Sequence, residues 1–586
     1  MDNIFKSMQQ KRLGLFVHYG VYSALAGVYR GREIESLGEW IQRRAEIPIS
    51  EYEVFAKELF RPGKDFAKNL VRSAKEAGAK YIVLTSKHHD GFCLFKSEAD
   101  GYNSYEYLGR DICMELSEAC RAEGLGLGFY YSHALDWHEK NGAGNYTLTR
   151  PDEYVKNRNF WDFPEDNIDF DEYFRRKCLP QVRELLTNYG KLECIWFDYP
   201  HDISREQSAE LRALVKELQP DCLINSRIGH GLCDYYSLAD NGLPSTPARV
   251  PTECLITLND TWGYKSYDRN YKSCEAVIEI LCRSLTAGAT LLVNVGPMGD
   301  GSLTPETVKI LKGLGEWTSL NAEAVYGDLS PSPFKTIFPW GSVCIKGRDM
   351  FLYPKETGAK ISISCISTAP VSVKLLSENE EIPFEYRDGV LIVHTKTTDL
   401  IRPVYKVSFA EEPMLDGGLV VDSTRGSLPV TCAGIIRARS PESTEAIPHE
   451  YDVEVGKLGT KGTALTRIDT IQHWRDCGDS LVWEAKFAEV GKYEAEVVAS
   501  LPSFETCCQE PEDNVPYTLW VGNTASPVLP EVKCYENANK TNSCNARFVK
   551  SAGSFTISAP GVYRVKLSKE TDRLGLGLSE IRFIKK

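Results

Sequence analysis

The chain is 586 residues long, 42% apolar and 25% charged, and its 68 Lys and Arg stand against 81 Asp and Glu for a net charge of −13. The length excludes a single small module, and the apolar share suffices for a large core. The acidic balance, with no run of five or more basic residues, argues against nucleic acid and anionic membrane as partners.

No segment approaches the roughly 20 continuous apolar residues of a membrane helix, and residues 1–12 are polar. As given, the chain is expected in the cytoplasm, or outside it if a signal peptide was removed. Its 18 cysteines are scattered, several inside apolar runs (Cys194, Cys222, Cys254, Cys282), and read as buried free thiols. No CxxC pair occurs, and the adjacent Cys507 and Cys508 lack zinc or redox spacing, so no metal is expected.

In chain order, short apolar runs predict strands at 13–18, 79–86, 124–132, 192–198, 221–227, 251–257 and 289–296. Amphipathic patterns predict helices at 64–77, 112–123, 170–189, 204–218, 273–286 and 305–320. This alternation implies parallel βα units and an irregular (β/α)8 barrel over residues 1–328, preferred to a doubly wound sheet. The reason is that polar and aromatic residues gather at the predicted C-terminal ends of many strands, namely His18, His88, His89, Tyr131, Asp198, Arg227 and Glu253. A barrel brings all such ends to one pocket. Beyond residue 328 the pattern becomes short alternating segments between Pro, Gly and Ser clusters, predicting all-β sandwiches over 329–412 and 413–586.

The run Cys194-Ile195-Trp196-Phe197-Asp198-Tyr199-Pro200 ends an apolar strand on a carboxylate, where barrel enzymes place a nucleophile or base. A helix cap is the structural alternative, but Asp198 lies too early for the helix from Ser204. Retaining glycoside hydrolysis needs a second carboxyl group. Glu253, in Val250-Pro251-Thr252-Glu253-Cys254, is the first candidate, since apolar neighbours would raise its pKa; Asp240 and Glu39 are its rivals.

His88 and His89 are adjacent, point in opposite directions if they lie on a strand, and lack a third ligand at metal spacing; they suit hydrogen bonds to sugar hydroxyls. His18 closes the first strand in the same manner. Glu39 beside Trp40, and Tyr130-Tyr131, offer the apolar faces and polar tips that sugars require. Arg227 ends the fifth strand with a donor fork able to bind hydroxyls or orient Asp198. Gly296-Pro297-Met298-Gly299-Asp300-Gly301 lacks the Lys and Ser or Thr of a phosphate loop, and no GxSxG elbow occurs.

Six ordered motifs are similar to those of glycoside hydrolase family 29, the α-L-fucosidases: Gly14-Leu15-Phe16-Val17-His18-Tyr19-Gly20, Gly38-Glu39-Trp40, Lys87-His88-His89-Asp90-Gly91-Phe92, Trp196-Phe197-Asp198, Asn259-Asp260-Thr261-Trp262-Gly263-Tyr264 and Leu292-Val293-Asn294-Val295-Gly296-Pro297. The resemblance covers about residues 5–330. It implies a retaining exo-α-L-fucosidase, with no cofactor and a fucosylated oligosaccharide or glycoside as substrate. Asp198 would be the nucleophile and Glu253 the acid/base. His18, Glu39, Trp40, His88, His89, Tyr131, Trp196, Arg227 and Trp262 would bind the sugar. The last sandwich, 413–586, resembles a carbohydrate-binding module. An α-L-galactosidase and a non-catalytic sugar-binding protein are the alternatives.

Overall fold

The computed structural model describes residues 7–8, 10–142, 158–164, 167–200, 203–238, 240–243, 247–248, 250–336, 338–437, 440–446, 464–466, 470–472, 477–500, 515–536, 547–572 and 577–586. The first half forms one curled sheet of eight parallel strands: β1 (Leu13–Val17), β2 (Tyr81–Lys87), β3 (Gly126–Ser132), β4 (Cys194–Asp198), β5 (Leu223–Ile224), β6 (Tyr236–Ser237), β7 (Thr252–Thr257) and β8 (Thr290–Val295). They run in the order β5-β4-β3-β2-β1-β8-β7-β6. A single parallel bridge between Asn225 and Tyr235, just outside β5 and β6, closes the ring.

The strands are apolar on both faces because both are covered. Phe16, Val83, Tyr130, Trp196, Leu255 and Leu292 point inward and form the middle of the barrel. Their strand neighbours Leu15, Ile82, Ile195, Ile256 and Val293 point outward, into the main core. That core receives the buried faces of α1 (Phe66–Glu76), α2 (Ile112–Glu123), α3 (Leu179–Asn188), α4 (Arg205–Leu218), α5 (Cys274–Ala287) and α6 (Pro305–Leu320). The helix ends are written locally. Asp111 caps α2 and Gly124 ends it in a left-handed turn; Ser204 and Gln207 form a reciprocal capping box on α4; Thr304 caps α6, with Pro305 in its first turn.

Three departures from the sequence reading concern backbone detail. The helix expected over 170–189 contains a π turn, Phe174–Cys178, just before Pro180; the proline has no N–H, and the wider turn gives its ring room. The strand expected over 221–227 stops at Ile224, because Ser226–Ile228 forms a 3-10 turn. The eighth strand, β6, is two residues long and leaves no periodic trace.

Antiparallel sheets follow. A five-stranded sheet (Gly341–Lys346, Asp349–Pro354, Tyr405–Phe409, Pro370–Leu375, Glu380–Glu381) packs on a three-stranded one (Lys360–Ile363, Val390–His394, Phe384–Arg387) over Leu352, Ile361, Val373, Leu391 and Val407. Two further sheets between Val420 and Lys585 share a core that includes Trp483, Val497, Leu519, Phe555, Leu567 and Phe583. The first sandwich is tied to the barrel helices: Trp317 donates to the Arg402 carbonyl at 2.9 Å, and Arg402 pairs with Glu279 at 2.6 Å. The described cysteines are free, and Cys194, Cys222, Cys254 and Cys282 are buried. Cys507 and Cys508 lie outside the described residues. No described helix is long and apolar enough to cross a membrane.

Candidate active site

The inward-facing side chains of the barrel stack in layers, and the layer at the strand C-termini is polar. Asp198 is the last residue of β4, level with Ser132 at the end of β3. Asn225 clamps this strand end by exchanging two 2.9 Å hydrogen bonds with the Phe197 backbone. Tyr199 then takes a left-handed backbone (φ 60), unusual for a bulky residue, and Pro200 follows, so the chain turns away directly after the carboxylate.

Asp198 is held from two sides. Arg227 Nη1 donates to Oδ1 at 2.9 Å, and the Tyr130 hydroxyl donates to Oδ2 at 2.8 Å. Burial by itself would raise this carboxyl, but the Arg227 charge, His89 and these two hydrogen bonds outweigh it and hold the pKa at about 2. Asp198 is therefore an anion with 16% of its side chain exposed to the cleft. The other arm of the same guanidinium, Arg227 Nη2, donates to Asp240 Oδ1 at 2.5 Å, and the Asp240 side chain is 37% exposed. One arginine thus brings two carboxyl groups to one cleft.

The histidines are neutral acceptors beside these acids. His89 Nδ1 lies 2.7 Å from Ser132 Oγ, whose proton is donated to the Leu135 carbonyl, so Nδ1 is the protonated nitrogen. Nε2 then carries a lone pair, 3.8 Å from Asp198 Oδ2. His18 Nδ1 lies 2.7 Å from Asn294 Oδ1, and Asn294 is oriented by donating to the Trp262 carbonyl at 2.9 Å; His18 Nε2 is likewise an acceptor. Burial lowers both rings to about 4 and His88 well below its ordinary value.

The two adjacent histidines do not diverge as strand alternation would require. Strand β2 ends at Lys87, and the rings of His88 and His89 stand 4.2 Å apart in the loop beyond it. Trp40 and Trp137 meet His89 edge-on, each at 5.3 to 5.6 Å, and Trp262 lies 5.2 Å from His18. Glu39 is buried, accepts the Gly263 N–H at 2.8 Å, and is raised to about 7 by burial against that bond.

Two expectations are corrected. Tyr131 points outward, donating from its hydroxyl to Gln181 on α3 at 2.8 Å; the inward residue is Tyr130, stacked 5.3 Å from His88 and 5.6 Å from Trp196. Period-two alternation permits only one of the pair inside. Glu253 is not with Asp198 either. It is the second residue of β7, paired with Thr290 at the start of β8, and it lies at the barrel's floor beside Met8, Tyr81, Cys194 and Leu223. Trp196 occupies the layer between, its ring beneath the Arg227 guanidinium at 4.9 Å and its Nε1 donating to Glu253 Oε2 at 3.2 Å. A carboxyl beneath this ring does not reach a sugar held at Asp198.

Asn294 and Tyr199 are site residues that sequence reasoning passed over for these roles. Asn294 was legible as the polar residue near the end of an apolar strand; nothing in the sequence marks the backbone of Tyr199. Among the described residues, one grouping has metal-ligand geometry, Asp100, His138 and Glu139. The Lys177 ammonium already pairs with Asp100 and lies 3.5 Å from Glu139, so a cation fills that role.

An eight-stranded parallel barrel with paired carboxyl groups, neutral histidines and indoles at its C-terminal end defines a glycoside hydrolase. The profile described as alpha-L-fucosidase matches residues 2–323. Tissue alpha-L-fucosidase of Bos taurus is 26% identical over 410 residues, 64% of this chain and 80% of that protein. The structure of alpha-L-fucosidase AlfC from Lactobacillus casei in complex with alpha-L-fucose product is 38% identical, with TM-score 0.52 over 55% of this chain and 99% of that one. The alpha-L-fucosidase of Vibrio sp. strain EJY3 matches in fold along 100% of this chain and 98% of its own, with TM-score 0.80 at 22% identity. The chain belongs to the alpha-L-fucosidase family, and the enzyme is an α-L-fucosidase.

Proposed function

We propose that the enzyme removes terminal α-L-fucosyl residues with retention of configuration, with Asp198 as nucleophile and Asp240 as acid/base. The observation that carries this is the Arg227 fork, which joins the two carboxyl groups across one cleft. Asp198, held ionised, attacks the anomeric carbon as Asp240 protonates the departing oxygen, giving a β-linked fucosyl ester. Ester formation removes the Asp198 charge. Asp240 then takes a proton from the water that cleaves the ester, releasing fucose and the free Asp198 carboxylate. His18, His88, His89 and Glu39 are placed to hold hydroxyls, and Trp40 and Trp262 to flank the ring.

The fucosylated substrate accords with the Lactobacillus casei enzyme, a variant of which has been determined in complex with Fuca(1,6)GlcNAc. Azide tests the roles. In Asp240→Ala, azide should capture the ester from the open face and give the α-fucosyl azide; in Asp198→Ala it should replace the nucleophile and give the β-azide. The opposite pairing would overturn the assignment. Proton NMR of the first-formed sugar should show α-fucose with the wild-type enzyme, whereas β-fucose would show inversion.

A further inference from the structure

Glu253 is a buried carboxyl that the proposed chemistry leaves without a task. It is 1% exposed, on a barrel floor lined by Met8, Tyr81, Cys194, Leu223 and Tyr235 together with Thr290 and the Lys11–Glu193 ion pair, and an apolar residue in its place would carry no desolvation cost. Two side chains donate to it, Tyr235 and, from the layer above, the indole of Trp196 at 3.2 Å. That indole is the surface on which both holders of the nucleophile rest. Tyr130 stacks on it at 5.6 Å with an interplanar angle of 17°, and the Arg227 guanidinium sits over it at 4.9 Å. Tyr130 and Arg227 then supply the hydrogen bonds on the two oxygens of Asp198. The chain from floor to cleft is therefore Glu253, Trp196, the pair Tyr130 and Arg227, and Asp198.

We infer that Glu253 is a positioning residue, which fixes the plane of Trp196 and through it the orientation of the Asp198 carboxylate. An indole in a barrel interior has two flat faces and a single polar edge, so one acceptor on that edge sets its rotation. Rotation of the ring would tilt the plate under Arg227 and Tyr130 together. Burial raises the Glu253 carboxyl to about 7, against the hydrogen bonds from Trp196 and Tyr235 and the charge of Arg227. An acceptor oxygen remains in either protonation state, so positioning does not require the charge.

The inference rests on Asp198 as nucleophile, and a double-mutant cycle separates the two. Trp196→Phe leaves a six-membered aromatic ring under Arg227 and Tyr130 but removes the N–H that Glu253 holds, while Glu253→Leu removes the acceptor. Each should lower kcat on an aryl α-L-fucoside about tenfold while KM moves less than about threefold, and the double variant should be no slower than the slower single one. Glu253→Gln, which keeps an acceptor oxygen, should recover kcat to within about threefold of wild type. A Glu253→Leu enzyme that folds and turns over within about twofold of wild type, or a double variant whose loss is the product of the two singles, overturns the inference. If Glu253→Leu does not fold, Glu253→Met takes its place, and if neither folds, Trp196→Phe decides alone: kcat within about twofold of wild type overturns the inference, a tenfold loss supports it. Failure of the nucleophile assignment shows elsewhere, as turnover retained in Asp198→Ala without azide.

Discussion

The two ends of the barrel each bury a carboxyl group on an inward-facing strand position, and the two groups are shifted in opposite directions. At the C-terminal end, Asp198 receives an arginine and a tyrosine and is held at about 2. At the floor, Glu253 receives an indole N–H and is raised to about 7. Burial acts on both in the same direction; the partners decide the sign. The comparison explains why a carboxyl near an apolar strand was a poor guide to role. What matters is which end of the strand it occupies, since only the C-terminal end faces the cleft.

The widest separation between the two ends should appear in turnover. Asp198→Ala should lower kcat at least about a thousandfold while the fold, followed by circular dichroism and thermal unfolding, is kept. Arg227→Met should follow, with a loss of about a hundredfold or more and a change of pH profile. In the wild type, Asp198 at about 2 is ionised throughout the working range. Without its largest opposing influence, burial should lift that carboxyl, and an acid limb should enter the kcat/KM profile at higher pH. An unchanged limb would mean Arg227 does not set the charge of Asp198.

At the floor the expected signature is in stability. The folded-state pKa of Glu253, about 7, lies above its ordinary value of 4.5, so folding favours the protonated form. Its contribution is present at low pH and is lost as pH rises from about 4.5 to about 7. Glu253→Gln removes that loss, and the gap in unfolding free energy between variant and wild type should widen in favour of the variant by up to about 3 kcal/mol between pH 4 and pH 8. Urea unfolding at several pH values measures it; a constant gap would show that the floor carboxyl titrates normally. The smallest effects come from the tyrosine pair. Tyr130→Phe should lower kcat about tenfold and Tyr131→Phe should leave it within about twofold; the reverse order would mean the register of β3 is wrong.

Much of this was legible in the sequence. The terminal position of Asp198 on its strand, the histidine loop after β2 and the six family motifs pointed to a barrel and a sugar chemistry. Three features were left unranked or misplaced, each for a physical reason. Tyr130 and Tyr131 are equivalent to composition and are separated only by strand register. Asp240 was named only as a rival of Glu253, because the two-residue strand it follows has no period to detect. Glu253 was placed on the correct strand, but four residues before its end, Thr257, so its side chain belongs to the opposite layer from Asp198.

The single bridge between Asn225 and Tyr235 bears on the working of the cleft. Elsewhere the barrel strands are joined by ladders, such as the five-residue register between β1 and β8. The seam at β5 and β6 has the shortest pairing in the ring, and its amide protons are expected to exchange with solvent ahead of those in β8. Arg227 stands just past one side of that seam and Asp240 just past the other. Breathing of the barrel wall would therefore be felt as a changing span between the two carboxyl groups, so that the joint of the cylinder and the gauge of the cleft are the same few residues.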